Sequence, residues 1–558
     1  MTAASSRTWL AQYSPGVPHD LAPGDFESIP AMMEMSVARY GSRPAFENFG
    51  VTASFDDIDR HARHFAAYLQ SVLGLAKGDR VAIMMPNLID YPIALFGILR
   101  AGLVVVSVNP LYTHRELEHQ LIDSGAKAIV IFEGAVHTLA GVIAATKIEH
   151  VIVAAVGDML GFPKGAVINF VLRHVKKLVP AWTLPQAVRF NDALARGARA
   201  TFAPPVIGPD DLAFLQYTGG TTGVSKGAML LHRMVLANVE QMRLHASPVI
   251  HEGDDNVAVG ALPFYHILAL VMNCMLFFRL GSRQLLITNP KDIPRFVETI
   301  AKSRFTFIVG VNTLYNALLN HPDFAKVDFS RLRMAGGGGA PLQLPVAQRW
   351  KAVTGKTLVE GYGLTETSGA TSCNRVTLED HTGTTGVPLP GVHIQIRDDD
   401  GRVMPHGETG QVFVQGPNVM AGYWQRPDET AKVLGADGFL ATGDVGLITP
   451  EGYLKIVDRL KDMVLVSGFN VFPNEIEDVL AGHPGIVEAA AIGIPDPHTG
   501  EAVKVVIVRR DPALTAESVI AYCREQLTGY KLPKHVEFRD TLPKSPIGKI
   551  LRRELRGN

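Results

Sequence analysis

Residues 214–230, FLQYTGGTTGVSKGAML, combine hydroxyl groups, glycines and a single cation between two apolar flanks. Glycine backbones can point successive N–H groups toward one centre, and the Thr and Ser hydroxyls add further donors. Lys226 supplies the positive charge. These groups favour a phosphate ligand, but the segment is not a Walker motif, because Ser225 and not glycine precedes the lysine. A glycine-rich turn without a ligand is the alternative interpretation.

The elements on either side must position this loop. Residues 211–217 have the pattern of a strand, and residues 227–242 that of the start of a long amphipathic helix. We therefore expect the loop to join a strand to a helix, where the first N–H groups of the helix also favour an anion. The sequence predicts a phosphate site at this junction.

Upstream of the loop, strand and helix patterns alternate. Residues 79–87 predict a buried strand, residues 90–102 a helix and residues 103–110 a second strand. A helix over residues 115–126 and a strand over residues 127–132 continue the series. Such alternation is typical of a mostly parallel α/β sheet.

The alternation resumes over residues 211–356, and short strands with Pro and Gly turns over 384–410 predict a β-rich subdomain. From about residue 458 the pattern changes to a small α+β unit. We therefore expect an α/β protein with a large N-terminal lobe, residues 1–457, and a small mobile C-terminal domain, residues 458–558. The charged segment DRLKD, residues 458–462, is predicted as the hinge, with an ordinary surface turn as the alternative.

Composition excludes several classes of protein. The 53 Lys and Arg nearly balance the 54 Asp and Glu in 558 residues, so the chain has no global field for nucleic acid. Cys274, Cys373 and Cys523 have no metal-binding spacing, which fits a reducing compartment. Residues 1–20 lack the apolar core of a secretory signal, and the apolar run at 267–278 is too short to cross a bilayer. We expect a soluble, cytoplasmic protein that does not bind nucleic acid.

Three more motifs accompany the loop: EGYGLTET at residues 360–367, ATGDVG at 441–446 and LPKSPIGKILRREL at 542–555. In this order they resemble the adenylate-forming superfamily of acyl-CoA synthetases, acyl-adenylating domains and luciferases. Longer stretches such as NPLYTHRELEHQL and KDMVLVSGFNVFPNEIEDVL narrow the resemblance to the bacterial long-chain fatty acyl-CoA synthetases. The similarity runs from about Trp9 to the C-terminus.

This resemblance implies a two-step ligase whose partners are a fatty acid, ATP and CoA. The carboxylate would attack the α-phosphate of ATP to give acyl-AMP and pyrophosphate, and CoA would then displace AMP. Three alternatives stay open: an acyl-AMP ligase that loads a carrier protein, a ligase for medium-chain or aryl acids, and a non-catalytic fatty-acid-binding protein that docks on membranes.

The resemblance also assigns nucleotide-binding residues. The loop would hold the β- and γ-phosphates through Thr218, Gly219, Gly220, Thr221, Thr222, Gly223 and Lys226, and Mg²⁺ would bind Thr218 and Glu366. Tyr362 would stack on adenine, and Asp444 with Arg459 would bind the ribose. The remaining expected nucleotide contacts are Gly338, Gly339, Ala340, Glu360, Gly361, Gly363 and Thr365.

Four further residues are implied in catalysis. Lys549 would bridge the carboxylate and the α-phosphate during adenylation, and His266 would lie beside the carboxylate as a positioning or gating residue. Lys461 would be the rotation point of the hinge, and Gly468 would then approach the pantetheine channel of CoA. Taken singly, such residues are more often solvated lysines, core histidines and turn glycines. The small domain also carries cations that would bind the phosphates of CoA: Lys531, Lys534, Arg552 and Arg553. The alternative is that they only keep the surface soluble.

Two segments bear on the acyl substrate. Residues 310–319 and 335–342 are small or apolar and predict the lining of an acyl tunnel, whose depth the sequence leaves open. Residues 165–182 have apolar groups at helical spacing beside several cations, as in helices that lie on membranes. An ordinary packed helix is the alternative. Peripheral contact with the inner face of the cell membrane and a homodimer are further hypotheses.

Overall fold

The computed structural model describes residues 7–22, 24–218, 225–545 and 548–556. Its strands are, in chain order, β1 (Pro44–Asn48), β2 (Val51–Ser54), β3 (Arg80–Met84), β4 (Val104–Ser107), β5 (Ala128–Phe132), β6 (His150–Ala154), β7 (Val188–Arg189), β8 (Leu212–Tyr217), β9 (Gly227–Leu231), β10 (Val257–Gly260), β11 (Arg283–Leu286), β12 (Phe307–Gly310), β13 (Met334–Gly337), β14 (Leu358–Leu364), β15 (Gly369–Cys373), β16 (Val387–Pro388), β17 (His393–Arg397), β18 (Gly410–Gln415), β19 (Leu440–Ile448), β20 (Leu454–Arg459), β21 (Val464–Val466), β22 (Phe469–Val471), β23 (Ile486–Asp496), β24 (Gly500–Arg509) and β25 (His535–Arg539).

The α-helices are α1 (Ile29–Tyr40), α2 (Phe55–Ala67), α3 (Asp90–Arg100), α4 (His114–Ser124), α5 (Val136–Ala140), α6 (Lys164–Phe170), α7 (Phe190–Gly197), α8 (His232–Ala246), α9 (Ile267–Ala269), α10 (Leu276–Arg279), α11 (Ile293–Ala301), α12 (Asn312–Leu319), α13 (Leu344–Thr354), α14 (Pro427–Ala431), α15 (Pro473–Ala481) and α16 (Ala516–Arg524). A π-helical segment, Leu270–Met275, joins α9 to α10.

Within the described residues the strands form four sheets. One large sheet has the order β16-β15-β14-β13-β12-β10-β11-β1-β2, and the other β7-β6-β5-β3-β4-β8-β9. Their central strands are parallel, whereas β2, β9, β15 and β16 pair antiparallel. The third sheet, β17-β18-β19-β20, completes the large lobe, and β21–β25 with α15 and α16 form the small domain. The predicted α/β fold class is confirmed.

The core lies between the two large sheets. Alternate residues of β3 belong to different apolar clusters: Val81 and Ile83 to one, Ala82 and Met84 to the other. A parallel strand covered on both faces in this way must be apolar throughout. The crossover helix α3 is likewise buried along its whole length, and α2 packs against it.

The prediction of a helix from residue 227 is wrong for its first five residues. Gly227–Leu231 form β9, which pairs antiparallel with β8, and α8 begins only at His232. Ala228 and Leu230 are buried while Met229 and Leu231 are half-buried, the period of two that a strand requires. The segment between residues 218 and 226 therefore connects two antiparallel strands. The prediction that a helix begins directly after this segment is wrong, since α8 begins five residues later.

The helix predicted over residues 165–182 is shorter than expected. Its α-helical part is α6, followed by the π-helical segment Val171–Val175, and Lys177 then takes a φ of 51°. Val167, Phe170 and Val175 are exposed, so the alternative of an ordinary packed helix is wrong for these side chains. No helix in the described part of the chain combines the length and the apolar character that crossing a membrane requires.

The predicted hinge follows β20 directly. β20 ends at Arg459, which lies opposite Asp444 of β19, so the predicted boundary after Val457 falls inside this strand. Residues Leu460–Asp462 form one 3-10 turn before β21. The domain limits remain a prediction.

Candidate active site

A cavity of about 1640 Å³ lies where β4, β8 and β13 end. Ligands of open α/β sheets bind at such carboxyl ends. The small domain closes this cavity with Lys549. Among the predicted site residues, those that line it are Thr218, His266, Gly338, Gly339, Ala340, Glu360, Gly361, Tyr362, Gly363, Thr365, Glu366, Asp444, Arg459, Lys461 and Lys549.

Tyr362, Asp444 and Arg459 form a hydrogen-bonded group in the wall of the cavity. The Tyr362 hydroxyl donates to Oδ2 of Asp444 at 2.6 Å, and Nε of Arg459 lies 2.7 Å from Oδ1. Burial, reinforced by the Asp444 carboxylate, raises the pKa of Tyr362 well above its usual value, so the phenol stays protonated. Asp444 is 2% exposed, yet each carboxylate oxygen keeps a further lone pair for a ligand hydroxyl.

The phosphate loop is only partly described. Gly219, Gly220, Thr221, Thr222 and Gly223 lie outside the described residues. The two ends of the loop are held together: the Thr218 N–H donates to the Lys226 carbonyl at 3.0 Å, and the Ser225 hydroxyl donates to the Thr218 carbonyl.

Lys226 belongs to a chain of contacts that the sequence analysis did not find. Its Nζ lies 2.5 Å from Oε2 of Glu429 and 4.8 Å from the centre of the Tyr423 ring. The Tyr423 hydroxyl donates to Oε1 of Glu366 at 2.7 Å. Hydrogen bonds from Lys226, and then from Lys432, lower the pKa of Glu429 to about 2.

Tyr423 thus connects the predicted phosphate lysine to the predicted metal ligand. It lies about two hundred residues from Lys226, and no spacing in the sequence points to it, because sheet packing alone brings the two segments together. The donor set fits Mg²⁺: the cavity presents the oxygens of Thr218 and Glu366, and Mg²⁺ takes few protein ligands when phosphates and water complete its shell.

Lys549 and His266 face the same cavity from opposite domains. Burial, followed by the nearby Arg459, lowers the pKa of Lys549 to about 8. Burial, with a smaller effect of Lys549, lowers the pKa of His266 to about 4. His266 is therefore a neutral imidazole at pH 7, and its Nδ1 accepts a hydrogen bond from the Leu268 N–H at 3.4 Å.

Gly468 is the predicted catalytic residue that the structure leaves outside this cavity. It lies at the tip of the β21–β22 hairpin with a φ of 84°, and Ser467 before it has a φ of 50°. Two consecutive positive φ values mark a type I′ turn, which by itself favours glycine.

Arg552 is buried in an ion-pair network between the hinge and α15. Its guanidinium lies 2.9 Å from Oδ1 of Asp458 and 2.8 Å from Oε2 of Glu477. Lys531 and Lys534, also expected near CoA, pair with Glu475 and Asp496. In this arrangement Arg552 fixes the segment that carries Lys549 to the hinge.

The prediction that residues 310–319 line the acyl tunnel is wrong for this cavity, since its described lining includes none of them. The segment forms the end of β12 and α12, and the side chains of Thr313 and Asn316 bond instead to the small domain. The other predicted lining, residues 335–342, contributes Gly336, Gly337 and Leu342 to the cavity, beside Met242, Met272, Val309 and Met334.

Family models match both parts of the chain. The model described as AMP-binding enzyme covers residues 33–424, and the model of the AMP-binding enzyme C-terminal domain covers residues 475–549. The chain belongs to the AMP-binding enzyme family. The sequence-based resemblance to adenylate-forming enzymes is confirmed.

Other members of the AMP-binding enzyme family match nearly end to end. A long-chain-fatty-acid–CoA ligase of Escherichia coli O6:H1 is 55% identical over 99% of this chain and 98% of its own. The Bacillus subtilis long-chain-fatty-acid–CoA ligase is 37% identical with the same coverage. The crystal structure of ATP-bound MatB from Rhodopseudomonas palustris is 30% identical, covers 95% of this chain and 98% of its own, and has a TM-score of 0.81.

Glu360 gives this AMP-binding enzyme a pH-dependent stability. Its carboxyl is 6% exposed and accepts a hydrogen bond from the Leu342 N–H, and burial raises its pKa to about 8. The folded protein therefore binds this proton more tightly than the unfolded chain. The stabilising contribution is fully present below pH 4.5 and is lost as the pH rises through about 8.

Glu360→Gln keeps the hydrogen-bond acceptor but cannot ionise. When the pH is raised from 5 to 8.5, the free energy of unfolding of this variant is expected to increase relative to that of the wild type. The gain is about 3–5 kcal/mol, the equivalent of the difference between the two pKa values. Thermal unfolding at both pH values measures it. Glu379→Gln, at an exposed carboxylate, is the control. Equal pH dependence of wild type and Glu360→Gln would contradict the assignment.

Proposed function

We propose that this chain is a long-chain-fatty-acid–CoA ligase that forms acyl-AMP and then acyl-CoA. The observation that carries the proposal is the meeting of Lys549 from the small domain with Asp444, Tyr362 and His266 of the large lobe around one cavity. The lining of this cavity includes Met242, Met272, Val309 and Met334, apolar residues that suit an acyl chain. The 55% identity to a ligase with this activity supports the same substrate class.

In the first step a carboxylate oxygen of the fatty acid attacks the α-phosphorus of ATP. The bond to the bridging oxygen of pyrophosphate breaks, and acyl-AMP and pyrophosphate form. Lys549, protonated below pH 8, neutralises the charge that gathers between the two reacting groups. The neutral His266 orients the carboxylate and removes no proton, because an ionised acid has none to give.

The nucleotide would be held by its two ends. Tyr362 stacks on adenine, and Asp444 accepts hydrogen bonds from the ribose hydroxyls. When ATP binds, the Lys226 ammonium would exchange its ion pair with Glu429 for contacts with the β- and γ-phosphates. Glu366, oriented by Tyr423, and Thr218 would hold Mg²⁺, which when bound neutralises phosphate charge.

In the second step the CoA thiol loses its proton to solvent and its sulfur attacks the acyl carbon. The bond from that carbon to the AMP phosphate oxygen breaks, and AMP leaves. Lys549 occupies the cavity in the present arrangement, so the small domain must turn away before the thiol can enter. Rotation at Lys461 would bring Gly468 to the pantetheine channel.

The decisive experiment supplies ATP, Mg²⁺ and radiolabelled pyrophosphate with fatty acids of increasing length, and then adds CoA. Acid-dependent exchange of label into ATP, strongest with long chains, followed by acyl-CoA and AMP, is the expected result. Exchange without acyl-CoA would favour an acyl-AMP ligase that loads a carrier protein. A preference for aryl or medium-chain acids would change the substrate class. No exchange with any acid would favour the non-catalytic fatty-acid-binding protein.

We further propose that residues 162–178 contact an anionic membrane surface. Phe162 is 92% exposed, and Val167, Phe170, Val175 and Leu178 are also exposed. No acidic residue occurs between Asp158 and Asp192, whereas this stretch contains Lys164, Arg173, Lys176, Lys177 and Arg189. Arg173 and Arg189 pair with Glu133, so Lys164, Lys176 and Lys177 remain as the cations that accompany the exposed apolar side chains. This combination suits the boundary of an anionic bilayer.

Charge reversal at Lys176 and Lys177 is expected to weaken binding to phosphatidylglycerol-containing vesicles by about 30-fold or more, at roughly 1 kcal/mol per lost lysine charge. Co-sedimentation measures the binding. Reversal of Lys291 and Lys302, two exposed lysines elsewhere, is the control with the same change in net charge. Equal binding by both double variants would remove this surface from consideration.

A further inference from the structure

Helix α12 of the large lobe touches the loop that carries Lys549. The Thr313 hydroxyl donates to the Gly548 carbonyl at 3.0 Å. One turn later the Asn316 amide donates to the Val487 carbonyl, at the start of β23, at 3.3 Å. Residues three apart lie on the same face of a helix, so this face presents two donors to two backbone acceptors of the small domain.

The described residues of the loop that carries Lys549 are bonded to one another and to the rest of the small domain. The Ser545 N–H donates to the Lys549 carbonyl at 2.7 Å, and the Gly548 N–H to the Ser545 carbonyl at 2.8 Å. Lys544 pairs with Glu488 at 2.6 Å. Because Ser545, Gly548 and Lys549 are bonded to one another within the small domain, the contact with Thr313 bears on how this domain lies against the large lobe.

The approach at Gly548 is too close for any other residue. A Cβ at this position would lie 2.6 Å from the Thr313 hydroxyl oxygen and 3.3 Å from Val311, and the φ of Gly548 is 89°. The glycine beside the lysine therefore permits the helix to reach the backbone carbonyl directly.

We propose that Thr313, assisted by Asn316, is a positioning residue that holds the small domain in the orientation for adenylation. The proposal rests on the proposed two-step function. Its contacts exist only while Lys549 lies in the cavity, so they stabilise one orientation of the domain and not the other. Loss of the hydroxyl shifts the population away from the adenylating orientation.

The test is Thr313→Val, which keeps the shape of the side chain and removes the donor. Acid-dependent ATP–pyrophosphate exchange should fall about fivefold, the effect of one hydrogen bond on the population of an orientation. The rate of thioester formation from preformed acyl-AMP and CoA should stay the same or rise. Thr313→Ser, which keeps the hydroxyl, should restore exchange.

A second measurement separates positioning from folding. In a Lys549→Ala background, Thr313→Val should cause no further loss of exchange, since the residue acts only through the lysine. Thr299→Val on α11 is the matched control, because the Thr299 hydroxyl bonds within its own helix, to the Arg295 carbonyl at 2.7 Å. Equal loss of both half-reactions in Thr313→Val, or a further loss without Lys549, would overturn the proposal. If the wild type shows no exchange at all, the result contradicts the proposed function and not the role of the Thr313 contact, so the two failures are distinguishable.

Discussion

Replacing Lys549 by alanine is expected to lower acid-dependent ATP–pyrophosphate exchange by about 100- to 1000-fold, the usual effect of removing one preorganised group that meets transition-state charge. Thioester formation from preformed acyl-AMP should keep most of its rate, because the lysine has left the cavity by then. Single-turnover assays of the two half-reactions measure this difference. Equal losses in both would refute the assigned role.

The same lysine sets the alkaline limit of the first step. Its pKa is lowered to about 8, so the charged form dominates below that pH and is lost above it. Exchange measured well below saturating ATP and fatty acid, where the pKa of the free enzyme governs the rate, should therefore decline as the pH rises through about 8. In Lys549→Arg this alkaline decline should disappear, since a guanidinium stays charged, even if the variant is slower overall. A wild-type rate that is constant up to pH 10 would contradict the assignment.

Replacing Lys461 by proline is expected to slow the second step by about 100-fold and to spare the first. Lys461 is the middle residue of the 3-10 turn Leu460–Asp462, and the φ of such a turn is close to the value that proline fixes. The present orientation is therefore compatible with proline. Rotation of the backbone at residue 461 is not compatible with proline, whose ring fixes φ. An energetic cost of about 3 kcal/mol for this rotation corresponds to an acyl-transfer rate about 100-fold lower.

Exchange and acyl transfer measured on the same preparation of Lys461→Pro test this expectation. Lys461→Ala is the control, because it removes the side chain and leaves the backbone free to rotate. If alanine and proline reduce acyl transfer equally, the side chain matters and the rotation point lies elsewhere. If proline impairs both steps, the substitution has disturbed the hinge itself.

Much of the site could be predicted because its residues stand in short motifs. Tyr362 and Glu366 come from one segment, Asp444 from a second and Lys549 from a third, and each segment resembled its family counterpart without any knowledge of distances. The alternation of apolar patterns likewise predicted β3, α3 and β4, since local periodicity decides these elements.

Other features depended on contacts between distant segments. Residues 227–231 have a pattern that suits a helix, but pairing with β8 makes them a strand. Tyr423 reaches Glu366, and Arg552 reaches Asp458 and Glu477, only because the sheets and the hinge place them there. α12 was expected in the acyl tunnel because it is apolar, yet Thr313 and Asn316 face the small domain.

The amino-acid sequence by itself determined the family, because the family's motifs are contiguous in the chain, and from those motifs it predicted the groups that are proposed to perform the chemistry. The tertiary structure alone decided which side chains hold Lys226 and Glu366 and where α12 contacts the small domain. The physical reason is that hydrogen bonds and ion pairs act over about 3 Å in space, a distance that bears no relation to separation along the chain.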